Sequence, residues 1–166
     1  MGTGTVQTMS DVIEPFHIHV DDSDLEDLRS RLARTRFPDQ IAGTVWEAGI
    51  PIDYLRDLVG YWMDGYDWRK EEACLNELDH FRTPIDGQSI HFVHLRSPHP
   101  GAMPLLLTHG WPGSFIEFIE VIHRLADPPA FGGRAADAFH LVVPSLPGFT
   151  FSCAQLVDRL HQRRRN

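Results

Sequence analysis

A strand-to-helix turn at residues 109–114 constrains the fold more than any other part of the sequence. The run Pro104–Thr108 before it is short and apolar, which predicts a buried strand. After it, apolar residues recur at helical spacing as Phe115, Ile116, Phe118, Ile119, Ile122 and Leu125. A turn between a strand and a helix lies at the carboxyl end of the strand, where α/β proteins bind ligands. The pattern therefore predicts an α/β fold with a candidate site at this turn.

The residue types in the turn decide which backbone groups can face a ligand. Gly110 and Gly113 allow a sharp turn and a close backbone approach. Pro112 has no N–H group and fixes its own φ angle. The backbone N–H of Trp111 is then the main free donor, and it could face a developing negative charge.

The segment before the turn is predicted to be mainly helical. Residues 1–14 are expected to be a flexible leader, and residues 16–20 a short extended segment. A first helix is expected from a Ser23–Glu26 capping box to about Arg34.

Two further helices are expected before the sheet. The second follows Pro51 and ends at Gly65, with Tyr54, Leu55, Leu58, Val59 and Trp62 facing inward. The third begins after Asp67, its N-cap, and runs to about His80, and Trp46 in the loop before the second helix is expected to be buried.

From Phe81 onward the periodicity becomes that of strands. Residues 81–85 and 89–96 flank Asp86-Gly87, which predicts a hairpin. The strand 105–108, a helix reaching Ala126 and an apolar strand 140–144 complete the pattern. Four strands and a connecting helix follow the helical segment.

The turn His109-Gly110-Trp111-Pro112-Gly113-Ser114 resembles the HGxP oxyanion loop of epoxide hydrolases with the α/β-hydrolase fold. Further stretches similar to that family are 15–18, 36–38, 66–69, 85–87, 90–92 and 143–149. The resemblance covers residues 12–152 in order. It implies an epoxide hydrolase N-terminal helical segment at 15–81, the first part of an α/β-hydrolase core at 82–152, and a divergent tail at 153–166.

The resemblance also implies a mechanism and a set of site residues. In the family, an aspartate attacks the epoxide carbon, two tyrosines donate to the epoxide oxygen, and a His–Asp pair activates the water that cleaves the ester. On this chain it assigns the oxyanion-hole donor to the Trp111 N–H, with His109, Gly110 and Pro112 as motif residues and a cis Trp111–Pro112 bond. It implies no cofactor.

The rest of the catalytic set is absent from the sequence. Neither G-x-S-x-G nor G-x-D-x-G occurs, so there is no nucleophile elbow. We therefore expect the chain to be inactive by itself. Either it belongs to a hydrolase whose remaining half is lost, encoded separately or absent from this sequence, or it is a non-catalytic remnant or binding module that pairs with a separate polypeptide. Without a neighbouring strand, the strand 105–108 would be a sheet edge prone to self-association.

Composition excludes several classes of partner. A net charge of −8 gives no basic face for nucleic acid. No run reaches the eighteen apolar residues of a membrane span, and no signal peptide is recognisable. Cys74 and Cys153 lie far apart, which favours a reducing compartment and a cytoplasmic location. The resemblance implies a small apolar epoxide as the substrate of the full-length family.

The histidines and Trp111 have alternative interpretations. His17 with His19, and His91 with His94, could be metal pairs, but neither pair has an evident third ligand, so we predict no metal site. His109 is expected to be a buried residue that holds the turn rather than a base. The Trp111 side chain either lines a substrate cavity or packs.

Overall fold

The computed structural model describes residues 12–152. The expectations for residues 1–11 and 153–166 lie outside the described residues. The chain divides into two compact units. One is helical and comprises Ile18–Leu75, and the other contains the sheet and comprises the described residues on either side of it. The expected bounds of 15–81 for the helical segment and 82–152 for the core stay a prediction.

The sheet unit contains five strands among the described residues. They are β1 (Glu14–Phe16), β2 (His80–Ile85), β3 (Gln88–Leu95), β4 (Met103–Leu106) and β5 (Phe139–Pro144). Their order is β1-β2-β3-β5-β4, and only the β4–β5 pair is parallel. Four strands were predicted, and β1 was not among them. Its first residue, Glu14, falls in the expected leader, and only its last residue, Phe16, falls in the expected extended segment 16–20. Phe16 pairs with His80, so the pairing with β2 defines this strand.

The hairpin prediction is confirmed. β2 and β3 pair in register from His80–Val93 to Ile85–Gln88. Asp86 and Gly87 both have positive φ, at 50° and 77°. A two-residue turn with both φ angles positive matches the right-handed twist of the flanking strands.

β4 and β5 are present within a residue or two of their predicted bounds. β4 starts earlier than expected, and the Leu107 N–H extends its pairing by donating to the Val142 carbonyl at 3.0 Å. Among the described strands β4 lies at the edge of the sheet, as predicted. Met103 and Leu106 are 58% and 61% exposed there.

The helix after the turn covers the sheet. It begins as a 3₁₀ turn at Phe115–Phe118 and continues as α4 (Ile119–Ala126). Its apolar face buries Phe115 and Ile122 to 1% and 2% exposure, while Leu141 and Val143 of β5 are equally buried. This spacing of apolar residues places the core beside β5 and fixes the turn at the end of β4.

The helical unit contains three α-helices, with several corrections to the predicted bounds. They are α1 (Asp22–Ala33), α2 (Ile52–Gly60), extended by a π-helical turn at Tyr61–Gly65, and α3 (Trp68–Leu75). The predicted Ser23–Glu26 capping box is wrong, because the N-cap of α1 is Asp21, two residues earlier than Ser23, and makes no side-chain cap bond. α3 ends at Leu75 rather than near His80 as predicted, and His80 is the first residue of β2.

Several large apolar residues of this unit are more exposed than expected. Trp46 is 59% exposed and lies edge-on to the Tyr54 ring, so the prediction that it is buried is wrong. Leu58 and Trp62, predicted to face inward, are each 47% exposed. Both line an open apolar cleft of about 570 Å³ beside α1, which explains their exposure.

A buried carboxylate holds the beginning of this unit to α3. Glu72 accepts hydrogen bonds from the Val20 backbone N–H at 2.7 Å, the Trp68 indole at 3.2 Å and the Arg69 guanidinium at 2.7 Å. These partners lower the pKa of Glu72 although burial acts in the opposite direction. The charge is therefore satisfied inside the unit.

Candidate functional site

The candidate site consists of two loops that follow neighbouring parallel strands. The loop 107–114, which contains the turn 109–114, follows β4, and the segment Ser145–Ser152 follows β5. Because β4 and β5 are parallel, both loops leave the same edge of the sheet. The sequence predicted the first loop as a site and gave no role to the second.

One hydrogen bond closes the turn, and the Trp111 N–H takes no part in it. The Gly113 N–H donates to the Gly110 carbonyl at 2.7 Å, and the Trp111–Pro112 bond is cis, as the resemblance implied. Within the described chain, the Trp111 N–H has no hydrogen-bond partner. The Trp111 side chain is 86% exposed, so it neither packs nor lines a closed cavity in these residues.

His109 fastens the turn to the second loop. Its Nε2 accepts from the Leu146 backbone N–H at 3.1 Å, and its Nδ1 lies 3.1 Å from the Gly110 carbonyl. These partners fit the neutral tautomer with the proton on Nδ1. The residue is 4% exposed and meets the Phe149 ring edge-on at 5.1 Å. Both ring nitrogens are engaged, so His109 holds the loop, as the sequence analysis expected.

A capping box follows directly after the turn. The Ser114 hydroxyl accepts from the Ile116 N–H at 3.3 Å, and the Glu117 carboxylate accepts from the Ser114 N–H at 3.2 Å. A Cβ at Gly113 would collide with that carboxylate, whereas one at Gly110 would meet open space. The S-x-x-E signature for this cap was present in the sequence at Ser114 and was overlooked.

A buried polar cluster behind the second loop was also missed. His91 on β3 is fully buried, with its Nε2 2.9 Å from Nδ1 of His80 and its Nδ1 2.8 Å from the Ser145 hydroxyl. The Ser145 hydroxyl in turn contacts that of Thr150. The signal available in the sequence was a histidine on the same strand face as Val93, a buried position.

The surroundings of His91 favour its neutral form. The rings of Phe16, Phe115 and Phe151 lie around it with centroids 5.2–5.4 Å away. Burial lowers the pKa of His91 to about 3, and repulsion from His80 and Arg82 adds to the effect. The His91–His94 metal pair is therefore not formed, since the His91 imidazole is already engaged. Across residues 12–152, no group of three or more His, Cys, Asp or Glu side chains is placed to hold a metal.

Arg82 holds the far end of the second loop. Its Nη2 donates to the Phe151 carbonyl at 3.0 Å, and its guanidinium lies 3.8 Å from the Phe16 ring centroid. Its Nε is buried without a partner among the described residues. The guanidinium thus contributes to the loop through one hydrogen bond and a cation–π contact.

Comparisons with known proteins identify the family. Sheet, turn and helix together are the opening of an α/β-hydrolase fold. The model of the epoxide hydrolase N terminus matches residues 13–118. The chain belongs to the epoxide hydrolase family.

None of the described helices is long and apolar enough to cross a membrane.

Individual relatives agree with this assignment. One relative from Stigmatella aurantiaca, with epoxide hydrolase in its name, is 54% identical over 140 residues, covering 84% of this chain and 32% of the relative. Epoxide hydrolase 1 of Oryctolagus cuniculus is 37% identical over 92% of this chain and 34% of its own length. The structure of Aspergillus niger epoxide hydrolase superposes with a TM-score of 0.75 at 34% identity, covering 89% of this chain and 38% of that one. The chain spans about a third of the length of the curated relatives it matches.

Proposed function

We propose that this chain supplies the amino-terminal part of an epoxide hydrolase that converts small apolar epoxides into vicinal diols. The observation that carries the proposal is the Trp111 N–H at the carboxyl end of β4, which has no hydrogen-bond partner among the described residues and lies in a turn closed by the Gly113–Gly110 bond and held by His109. A fixed donor aimed at a site is what stabilisation of a developing oxyanion requires. A reducing, cytoplasmic location belongs to this proposal and is supported by the two distant cysteines.

The proposed reaction has two steps. An aspartate carboxylate, supplied by a part of the protein outside this sequence, attacks an epoxide carbon, and the breaking C–O bond leaves an oxygen that takes a proton from a tyrosine. Water, deprotonated by a His–Asp pair, then attacks the ester carbonyl. The Trp111 N–H donates to the oxyanion formed there, and its collapse expels the diol oxygen, which takes the proton of the newly formed carboxylic acid. The proton held by the histidine returns to the tyrosine, so that the diol, the free carboxylate and the starting protonation states are obtained.

The chain by itself lacks the groups for either step. Its sequence contains no nucleophile elbow, and His109 has both ring nitrogens hydrogen-bonded. The N–H of Trp111 accelerates only a reaction that a nucleophile has started. We therefore propose that activity requires the polypeptide that provides the aspartate, the tyrosines and the histidine.

A second candidate function is that of a non-catalytic binding module. It is favoured by β4, which lies at the edge of the sheet among the described residues and exposes Met103 and Leu106. An exposed edge strand can pair with a strand of another polypeptide. In this case the turn would keep its shape but make no contribution to turnover.

The two candidates are separated by a fusion protein. The chain is joined to the part of the Stigmatella aurantiaca relative that follows the matched region, and epoxide hydrolysis is measured. Trp111→Pro removes the backbone donor, whereas Trp111→Ala removes the indole and keeps the donor. The hydrolase proposal predicts that kcat of the Trp111→Pro fusion is lower than that of Trp111→Ala by about 10²–10³. Equal kcat values in the two variants would reject the oxyanion role.

A further inference from the structure

We propose that His91 and Ser145 are positioning residues for the Trp111 turn, which they hold through the segment Ser145–Ser152. The inference rests on the proposed function, because it explains how the oxyanion donor is kept in place. Neither residue belongs to the motif of the turn.

Both ends of the segment Ser145–Ser152 are hydrogen-bonded to His91. At one end, the Ser145 N–H donates to the His91 carbonyl at 2.9 Å and the Ser145 hydroxyl lies 2.8 Å from the His91 Nδ1. At the other end, the Ser152 hydroxyl accepts from the His91 N–H at 2.9 Å and donates to the Ser145 carbonyl at 2.8 Å. The segment is thus a closed loop fastened at a single residue of β3.

The segment Ser145–Ser152 in turn holds the Trp111 turn. Leu146, the residue after Ser145, donates its N–H to His109, and Phe149 packs edge-on against the same imidazole. His109 in turn contacts the Gly110 carbonyl, on which the Gly113 N–H closes the turn. The His91–Ser145 bonds, the peptide link from Ser145 to Leu146 and the bonds of His109 therefore connect His91 to the Gly110–Trp111 peptide group.

Solvent cannot replace the hydrogen bonds of His91 and Ser145. His91 and Ser145 are both 0% exposed. Water cannot replace a lost partner there, so the partners left behind would be buried and unsatisfied. The titratable and charged groups facing His91 are His80 and Arg82, both on β2, and the remaining neighbours are aromatic or hydroxyl groups.

The test measures hydrogen exchange and the tautomer of His109 in the full chain. Ser145→Ala deletes one hydroxyl, and His91→Phe keeps the ring volume without the nitrogens. His94→Phe is the matched control on the same strand, because the His94 ring contacts Phe81 and makes no described bond to the segment. Exchange is followed by mass spectrometry in peptides containing Leu146, and the His109 tautomer by ¹⁵N NMR of labelled histidine.

We expect Ser145→Ala to accelerate exchange of the Leu146 amide about 5–10-fold and to shift His109 from a single tautomer to a mixture, with no change in the β2–β3 hairpin. His94→Phe should leave both signals unchanged. If both signals are unchanged in Ser145→Ala, the proposal is wrong, whether or not His91→Phe folds. These readouts need no epoxide, so failure of the proposed hydrolase function would appear only in the fusion assay and not here.

Discussion

The Leu146 backbone N–H donates to Nε2 of His109 at 3.1 Å, and this bond joins the loops that follow two parallel strands. It connects residues 37 positions apart in the chain. Because the same imidazole contacts the Gly110 carbonyl, one side chain sets the distance between the turn and the segment after β5.

Replacing this imidazole should weaken the fold measurably. His109→Ala leaves the partly buried Leu146 N–H without its acceptor, so we expect the free energy of unfolding to fall by about 2 kcal/mol. His123→Ala, at an exposed position of α4, is the control and should change it by less than about 0.5 kcal/mol. Urea denaturation of both variants checks this. Equal stabilities would mean that the His109 bond contributes nothing net.

The two glycines of the turn should respond differently to the same substitution. Gly113→Ala places a Cβ against the Glu117 carboxylate and disrupts the capping box, with an expected loss of about 1–2 kcal/mol. Gly110→Ala adds a methyl group in open space and should be within about 0.5 kcal/mol of the parent.

A double variant tests the cause of that difference. In the background of Glu117→Ala, the Gly113→Ala substitution should cost less than it does in the parent, because the colliding carboxylate is absent. Additive losses in the double-mutant cycle, measured by chemical denaturation, would show that Gly113 and Glu117 act independently.

The stability of the sheet unit should depend on pH through His91. Its pKa is lowered from 6.5 to about 3 in the native state, so between these values the unfolded chain binds a proton that the native chain does not. The free energy of unfolding should therefore fall as pH falls through this window, by about 1.4 kcal/mol per pH unit from this group.

Comparison with a variant isolates this group. Urea denaturation between pH 6 and pH 5 should give a steeper dependence for the parent than for His91→Gln, which lacks the titrating group. The pKa of His94 is also lowered, but His94 is present in both proteins and cancels in the difference. If the free energy of unfolding changes equally with pH in the parent and in His91→Gln, the assignment of the effect to His91 is wrong.

The exposed edge of β4 should make the chain self-associate. Apolar edges without a charge or a covering element pair with other strands. Light scattering after size-exclusion chromatography should show a mass that rises with concentration, and Leu106→Lys should suppress the rise. Ile85→Lys is the control, because Ile85 is similarly exposed, at 54%, but lies at the end of β2 beside the hairpin turn. A parent chain that is monomeric, with a cooperative melt above about 60 °C, would contradict the prediction.

The local parts of this structure were predictable from sequence and the long-range polar contacts were not. Asp86-Gly87 specifies its own turn, and apolar runs locate β4 and β5, because these signals lie within a few residues. His91 and Ser145 are 54 residues apart, and nothing in either neighbourhood indicates that their side chains meet. The end of α3 was placed too late because pairing of His80 with β1 and β3 overrides the local helical pattern.

The candidate site was predictable to the same extent. The turn at Trp111 could be located from its glycines and proline, since those residue types restrict the backbone directly. Its support by the segment after β5 depends on tertiary contacts of His109 that no sequence pattern encodes.

The decisive experiment measures diol formation from styrene oxide by the purified 166-residue chain and by its fusion with the remaining part of the Stigmatella aurantiaca relative. We expect no diol above the buffer blank for the chain alone and turnover by the fusion that falls about 10²–10³-fold with Trp111→Pro but not with Trp111→Ala. Diol formation that co-elutes with the 166-residue chain, or a folded fusion whose turnover is the same in both Trp111 variants, would contradict this expectation.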